Sequence, residues 1–424
     1  MTLARAIWPT PADFAGPPTA ADLHRWDEAD RAARPKRRER VRARFADAGI
    51  DAYFGVRREH MRYLTGFTLA DGEEKVAGVS GQFLLSTDEL VVFADSRYTI
   101  QARRESPEAR VEVVYGDLPA RWPELVASIG ARRVGVEAAF VPQATWTKLA
   151  QAAPDVELVP IEGWVEADRA VKEPAELERI AAGCAVADRA LAALLPDIRP
   201  GVTEADLALR LEWAIRNGGA EALSFDVACL AGPEAALPHG APGDRPVLEG
   251  SVLLFDFGAQ VAGYRSDMTR TLFVGEPTSR DAELYELVAR AQTAAIDALS
   301  AAVGWEESLP SGRAIDAVAR EIIGAAGHGD HFGHSLGHGI GLATHELPTL
   351  NKRAPQTPLP SPTVFSVEPG VYLDGQTGVR IEDLVTIDHA AGRLELLTHF
   401  PRDVVIVGVI ASRGATQASR RARW

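Results

Sequence analysis

Four carboxylates and one histidine in the C-terminal half of the chain sit where chemistry explains them better than packing does. Asp256 interrupts the apolar run SVLLFDFGAQV, and Asp267 follows eleven positions on, in GYRSDMTRTLFVG. Glu368 ends the run TVFSV, and Glu382 comes fourteen positions later, in VRIEDLVTI. Each segment reads as a hairpin with one acid per strand, the first turning near Val261–Gly263 and the second around Gly375–Gly378. A carboxylate in a strand core is costly unless it is paired or binds a metal. Arg265, Arg270 and Arg380 are near enough in sequence to pair with these acids one by one. Four acids in two similarly built segments are better explained by a shared cation.

A fifth donor is at hand in HFGHSLGHGIGLATHELP, residues 331–348, where Gly337 and Gly339 flank His338 and let backbone approach a ligand closely. One neutral imidazole and four carboxylates make a hard, oxygen-rich site for two divalent ions. That donor set favours Mn²⁺, with Co²⁺, Fe²⁺ or Zn²⁺ as other occupants. Four carboxylates also balance two such ions in formal charge.

The elements that must position these residues fall into two regions. Between 51 and about 165, the β-rich runs DAYFGV, GQFLLST, ELVVFAD, VEVVYG, RRVGVE and VELVPI alternate with helical patterns, which predicts an α/β domain. VKEPAELERI at 171–180 marks a boundary, with Pro174 near the start of a helix. Beyond it, helices expected over 177–195, 203–217, 280–301 and 312–326 are interleaved with the hairpins, giving a second α/β or α+β domain. The division is therefore an N-terminal arm over 1–33, a domain over 34–168, a second domain over 172–412 and a tail over 413–424. The arm is Pro-, Ala- and Asp-rich, and reads as a loose segment or one that wraps a partner. The basic stretch RPKRRERVRAR at 34–44 reads as the solvated face of an amphipathic helix, with Val41 and Phe45 inward.

Composition narrows the function. A net charge of −14 over 424 residues argues against a nucleic-acid partner, which needs a basic face. No run of 18 apolar residues suggests a membrane span, and the N-terminal stretch shows no apolar segment followed by a small-residue cleavage site. Cys184 and Cys229 are too few for a disulfide framework or a thiolate zinc site. Two buried, reduced thiols in a cytoplasmic protein is the expectation.

Taken in order, DFG…GYRSDMTRT, GHSLGHGIGLATHELP, SVEPGVY and VRIED resemble the creatinase/methionine-aminopeptidase superfamily with the "pita-bread" fold. Within it they are most similar to the proline-peptidase branch, aminopeptidase P and prolidase. The likeness spans most of 172–412, and residues 36–165, with HMRYLTGF at 60–67, resemble the family's smaller N-terminal domain. The resemblance implies that Asp256 chelates one metal, Asp267 and Glu382 bridge both, and His338 and Glu368 complete the other. It also implies that Glu368 acts as general base, that His239 and His345 face the substrate and stabilise its carbonyl oxygen or shuttle a proton, and that His334 helps shape the proline pocket. Arg380, two positions before Glu382, joins the expected substrate-binding set and is a partner for a ligand carboxylate. His24, His60, His328, His331, His389 and His399 keep a structural reading.

The implied activity is hydrolysis of the Xaa-Pro bond at the N-terminus of peptides, that of an Xaa-Pro aminopeptidase. The alternative is an Xaa-Pro dipeptidase restricted to dipeptides. Both use the same five ligands and differ in how the pocket is closed after proline. A homo-oligomer, a dimer or larger, is also implied. A creatinase-like hydrolase acting on a non-peptide, or a non-catalytic binding protein on this fold, should lack several of the five ligands. GHSLG at 333–337 matches the serine-hydrolase elbow in letters only, because no strand leads in and glycines spoil the helix that should follow. HELPT at 345–349 fails the H-E-x-x-H zinc pattern at its last position.

Overall fold

The computed structural model describes residues 8–69, 78–116, 118–304 and 308–408. The expected tail at 413–424 lies outside them. The chain forms two compact units, one from Pro18–Arg179 with Gly341–Leu347, the other from Met1–Pro17, Ile180–Ile340 and Pro348–Trp424.

The first unit is built on strands β1 (Ala52–Gly55), β2 (Phe83–Ser86), β3 (Leu90–Ala94), β4 (Arg110–Val113), β5 (Arg133–Glu137) and β6 (Glu157–Ile161). They form one sheet in the order β4-β3-β2-β1-β5-β6. The β1–β2 and β2–β3 pairs are antiparallel; β3–β4, β1–β5 and β5–β6 are parallel. All six expected runs are thus strands. The core on this sheet joins Phe54, Phe93, Val134 and Val136 to Trp122 and Leu149 of the covering helices. Phe54 and Trp122 meet edge to face, with ring centroids 5.1 Å apart.

The break expected between a loose arm and a domain starting at residue 34 is absent. One helix runs Ala20–Arg42. It starts with a capping box, Thr19 accepting from Asp22 N while the Asp22 carboxylate accepts from Thr19 N. Its basic residues are a solvated face only in part, with Lys36 and Arg40 exposed. Val41 and Phe45 are buried as expected, but so are Arg34, Arg37 and Arg38. Arg37 pairs with Asp30 at 2.7 Å and Glu173 at 2.6 Å and donates to Tyr63 O, while Arg38 meets Glu108 and donates to Leu64 O. Apart from Asp30, which is on the same helix, these partners lie 26 to 136 residues away in sequence and leave no trace in the charge periodicity. A buried guanidinium is tolerated because its donors are met by carboxylates and carbonyls.

The chain beyond Arg179 carries β7 (Ala222–Leu223), β8 (Ala228–Ala231), β9 (Val252–Phe257), β10 (Ala259–Val261), β11 (Tyr264–Arg265), β12 (Met268–Val274), β13 (Gly337–Gly339), β14 (Glu346–Leu350), β15 (Thr363–Val367), β16 (Gly370–Leu373), β17 (Thr377–Arg380), β18 (Asp383–Asp388), β19 (Arg393–Leu396) and β20 (Ile406–Val407). They pair in the orders β11-β10-β7, β20-β12-β9-β8, β14-β13-β15-β18-β19 and β16-β17. Helices over Pro174–Leu194, Glu204–Asn217, Ser279–Ala302 and Gly312–Ala325 match the four predicted spans closely. Thr203, Thr278 and Ser311 cap three of them by accepting from backbone N–H groups of the first turn. The core packs Val288, Ala291 and Ala295 of one helix and Ile315 and Ala319 of another against Phe365, Val367, Val379 and Ile381. Among the described residues no helix is long and apolar enough to cross a membrane. Cys184 and Cys229 are both buried and free.

Candidate metal centre

Both acid-bearing segments fold as hairpins that break partway along their length. In the first, β9 pairs with β12, ending at Phe257↔Met268, and the chain continues into the separate hairpin β10–β11. Asp256 lies on β9 opposite Thr269, and Asp267 falls in the break just before β12. In the second, β15 pairs with β18 up to Val367↔Asp383, and β16 pairs with β17 from Gly370↔Arg380. Glu368 and Glu382 occupy the two sides of that break. The simple hairpins expected from the sequence are therefore bent ones, and three of the four acids sit at the bends. There the backbone leaves the ladder and the carboxylates can converge.

Convergence is what is found. Asp267, His338 and Glu382 offer donor atoms that all lie within 4.8 Å of one another. His338 Nε2 is 3.7 Å from Asp267 Oδ2 and 3.4 Å from Glu368 Oε1. Its Nδ1 lies 3.1 Å from Gly339 O, so a proton on Nδ1 leaves Nε2 with a lone pair for a metal. Asp256 Oδ1 and Glu382 Oε1 are buried without a hydrogen-bond partner. A buried anionic oxygen left bare is a cost that a bound cation removes.

Electrostatics agree. Burial pushes the Asp267 carboxyl well above its ordinary range, with added repulsion from Glu382, Asp256 and Glu368. Burial does the same to Glu382, with repulsion from Glu368 and Asp256. Glu368 is raised by burial too, opposed by His334 and Arg380. Carboxyls packed this way need positive charge among them to ionise at neutral pH. The residues present fit two divalent cations.

Around the donors stands a frame of hydrogen bonds. Arg380, 3% exposed, donates from Nη2 to Asp256 Oδ2 at 2.6 Å, from Nε to Thr269 Oγ1 at 2.8 Å and from Nη1 to Tyr372 Oη at 2.8 Å. Thr269 in turn donates to Glu382 Oε2 at 2.7 Å. Ser366 Oγ donates to Glu368 Oε1 at 3.0 Å and accepts from His338 N. The sequence points to Arg380 but not to Thr269, Ser366 or Tyr372. The signal for Thr269 was its place opposite Asp256. That for Ser366 was its position two before Glu368, where strand alternation puts both on one face.

The remaining predicted residues are placed unequally. His334 is half-buried, with Nε2 2.9 Å from Tyr372 Oη, which ties it to the Arg380 frame. Burial lowers its pKa and favours the neutral ring. His239 is exposed in a turn, next to Pro238, whose carbonyl accepts from Arg380 Nη1 at 3.4 Å. His345 is exposed and lies in Gly341–Leu347, which belongs to the other unit. There Glu346 pairs with Lys172 at 2.9 Å and with Arg169. Ser335 of GHSLG lies between a short 3₁₀ turn at Gly329–His331 and β13, so no strand-to-helix elbow surrounds it. His60 stands 2.7 Å from Glu137 in the first unit.

Residues 178–389 match the model of metallopeptidase family M24, and residues 37–171 that of the creatinase/prolidase N-terminal domain. An uncharacterized peptidase of Bacillus subtilis (strain 168), YqhT, is 34% identical over 87% of this chain and 99% of its own. Among solved structures, an Xaa-Pro dipeptidase from Bacillus anthracis superposes with a TM-score of 0.79 at 33% identity, covering 88% of this chain and 99% of that one. An X-Pro aminopeptidase from Thermotoga maritima gives 0.77 at 34%, covering 87% and 99%. With matches of this extent, the chain belongs to metallopeptidase family M24, a peptidase of the pita-bread superfamily with a creatinase/prolidase N-terminal domain.

Proposed function

We propose that this peptidase hydrolyses the Xaa-Pro bond at the N-terminus of peptides with two divalent cations per chain. The cations would be held by Asp256, Asp267, His338, Glu368 and Glu382. The observation that carries this is the convergence of Asp267, His338 and Glu382 beside the bare oxygens of Asp256 and Glu382. By donor softness Mn²⁺ is the preferred ion, with Co²⁺, Zn²⁺ or Fe²⁺ as substitutes. When bound, such ions supply the Lewis acidity that activates water and polarises a scissile carbonyl.

The chain's own residues do the rest. Glu368, whose raised carboxyl is suited to accept and release a proton, takes one from the attacking water and passes it to the leaving proline nitrogen. His239 and His345 stabilise the carbonyl oxygen or move a proton. His334, held by Tyr372, shapes one wall of the proline pocket. Arg380 serves the substrate through Asp256 and Tyr372, since these and Thr269 engage its guanidinium. The Xaa-Pro bond has no N–H and a rigid ring on its leaving side, so a dedicated pocket is needed.

Two substrate ranges fit this centre. The sequence favours an aminopeptidase acting on longer peptides. Similarity to the Xaa-Pro dipeptidases of Bacillus anthracis and Pyrococcus furiosus supports the dipeptidase at least as well. A panel of Xaa-Pro and Xaa-Pro-Yaa-Zaa peptides, assayed with Mn²⁺ and with chelator, separates them; activity confined to dipeptides selects the second. Turnover of neither class with any of the four metals sinks the proposal. The family resemblance also implies a homo-oligomer, which light scattering showing only monomer mass refutes, and the two buried free thiols fit a cytoplasmic protein.

A further inference from the structure

Where the second hairpin breaks, strand pairing stops after Val367↔Asp383 and resumes only at Gly370↔Arg380. Two of the proposed ligands, Glu368 and Glu382, lie in that gap, where no ladder fixes their backbone. Glu368 N instead donates to Leu336 O at 2.8 Å, and Glu382 N to Thr269 O at 3.1 Å. On the carbonyl side the gap is spanned by a side chain from a helix. Gln292, on Ser279–Ala302 and 1% exposed, places its amide nitrogen 3.1 Å from Val367 O and 3.2 Å from Ile381 O. These are the carbonyls directly preceding Glu368 and Glu382. The same nitrogen lies 2.9 Å from Asp383 Oδ2.

Asp383 extends the brace. Its Oδ1 accepts from Arg270 Nη2 at 2.6 Å and from Thr398 Oγ1 at 2.6 Å. Arg270, 1% exposed, donates from Nη1 to Glu382 O at 2.5 Å and to Thr269 O at 3.0 Å. The backbone of Glu382 is therefore held at both its N–H and its carbonyl.

We propose that Gln292, braced by Asp383 and Arg270, is a positioning residue for the metal centre, clamping the backbone at Val367 and Ile381 so that Glu368 and Glu382 converge. A buried polar network of this kind is weak evidence for stability, since well-packed apolar residues of similar volume do as well or better. Its placement beside both ligands gives it a different reason to exist. The proposal rests on the metal-centre reading, and its test keeps the two apart.

The test is Mn²⁺ binding to the metal-free full-length chain by calorimetry, with thermal melting in parallel. The wild type, Gln292→Leu and Gln292→Asn are compared with Leu299→Ala, a buried apolar truncation about two turns further along the same helix. Gln292→Leu removes the amide at similar volume. Gln292→Asn withdraws it, and serves if the leucine variant does not fold. Expected is a loss of about 10- to 100-fold in Mn²⁺ affinity for both Gln292 variants, with wild-type affinity in Leu299→Ala even where its melting temperature falls as far. Gln292 variants that bind Mn²⁺ like the wild type, or no worse than Leu299→Ala, overturn the positioning role. A wild-type chain that binds none of Mn²⁺, Co²⁺ or Zn²⁺ overturns the metal centre itself, and the clamp with it.

Discussion

Arg380 Nη2 donates to Asp256 Oδ2 at 2.6 Å, and through this contact the second bent hairpin holds the first. The donor stands at the end of β17 and the acceptor on β9, 124 residues apart in sequence. With Asp256 Oδ2 held in this way, Oδ1 is the oxygen left bare for a cation. The same guanidinium reaches Thr269 and Tyr372, so it sets the orientation of one acid and touches the supports of two other site residues.

Replacing Arg380 with Met should therefore cost more than one hydrogen bond. Stranding a buried carboxylate typically destabilises by about 3–5 kcal/mol, and loss of an outer partner weakens metal binding by about 10- to 100-fold. Urea unfolding of the metal-free chain and calorimetric Mn²⁺ titration read the two effects. Lysine should not restore them, because an ammonium cannot serve Asp256, Thr269 and Tyr372 in one plane. Wild-type affinity in Arg380→Lys would show that charge alone suffices.

Glu368→Gln keeps the volume and the hydrogen bond from Ser366 while removing the base. Turnover of an Xaa-Pro substrate should drop by about 10²–10⁴-fold with an unchanged far-UV spectrum. Full activity in this variant would remove Glu368 from the proton path.

Gly337 precedes His338, and a Cβ built there would stand 1.8 Å from Ser366 O. Because the obstacle is backbone, β13 and β15 must move apart in Gly337→Ala. Overpacking of this kind costs about 1–3 kcal/mol. It should also weaken Mn²⁺ binding, since His338 N and Ser366 Oγ are hydrogen-bonded across the two strands. Loss of stability without loss of affinity would show that the bend tolerates the shift.

Asp188 is fully buried and accepts from His399 N and Phe400 N at 2.9 and 3.0 Å. Burial, opposed by these bonds and by Arg270, raises its carboxyl from 3.8 to about 6. For a raised acid the native state holds more protons than the unfolded one, so its contribution is complete below about pH 4 and is lost as pH climbs through about 6. Between pH 4 and 7.5 the stability of wild type relative to Asp188→Asn should therefore fall by up to about 3 kcal/mol. Parallel denaturation curves across that range would contradict the assignment.

Metal removal should lower the melting temperature. A cation that binds only the native state at 100 times its dissociation constant adds about 2.7 kcal/mol. Because the carboxyls of Asp267, Glu368 and Glu382 are raised without metal, binding should also release protons, seen as a buffer-dependent enthalpy. A melting temperature indifferent to chelator would argue against an occupied centre in the purified protein.

The sequence by itself carried the six strands of the first unit, the long helices of the second and the three donors that converge, Asp267, His338 and Glu382. Strand and helix periods are local, and an acid that interrupts an apolar run is visible without any partner. It also carried the family, because the motifs recur in order at fixed spacing. What it left open were relationships between distant residues. Arg34, Arg37 and Arg38 looked solvated because the carbonyls that accept from them are remote in the chain. Gln292 is an ordinary helix residue until the fold brings the carbonyls of Val367 and Ile381 to its amide. His345 stands seven residues after His338, yet its segment clusters with the first unit, where Arg169 and Lys172 pair with Glu346. In each case the deciding energy is the satisfaction of a buried polar group, and only the tertiary structure says which groups are buried together.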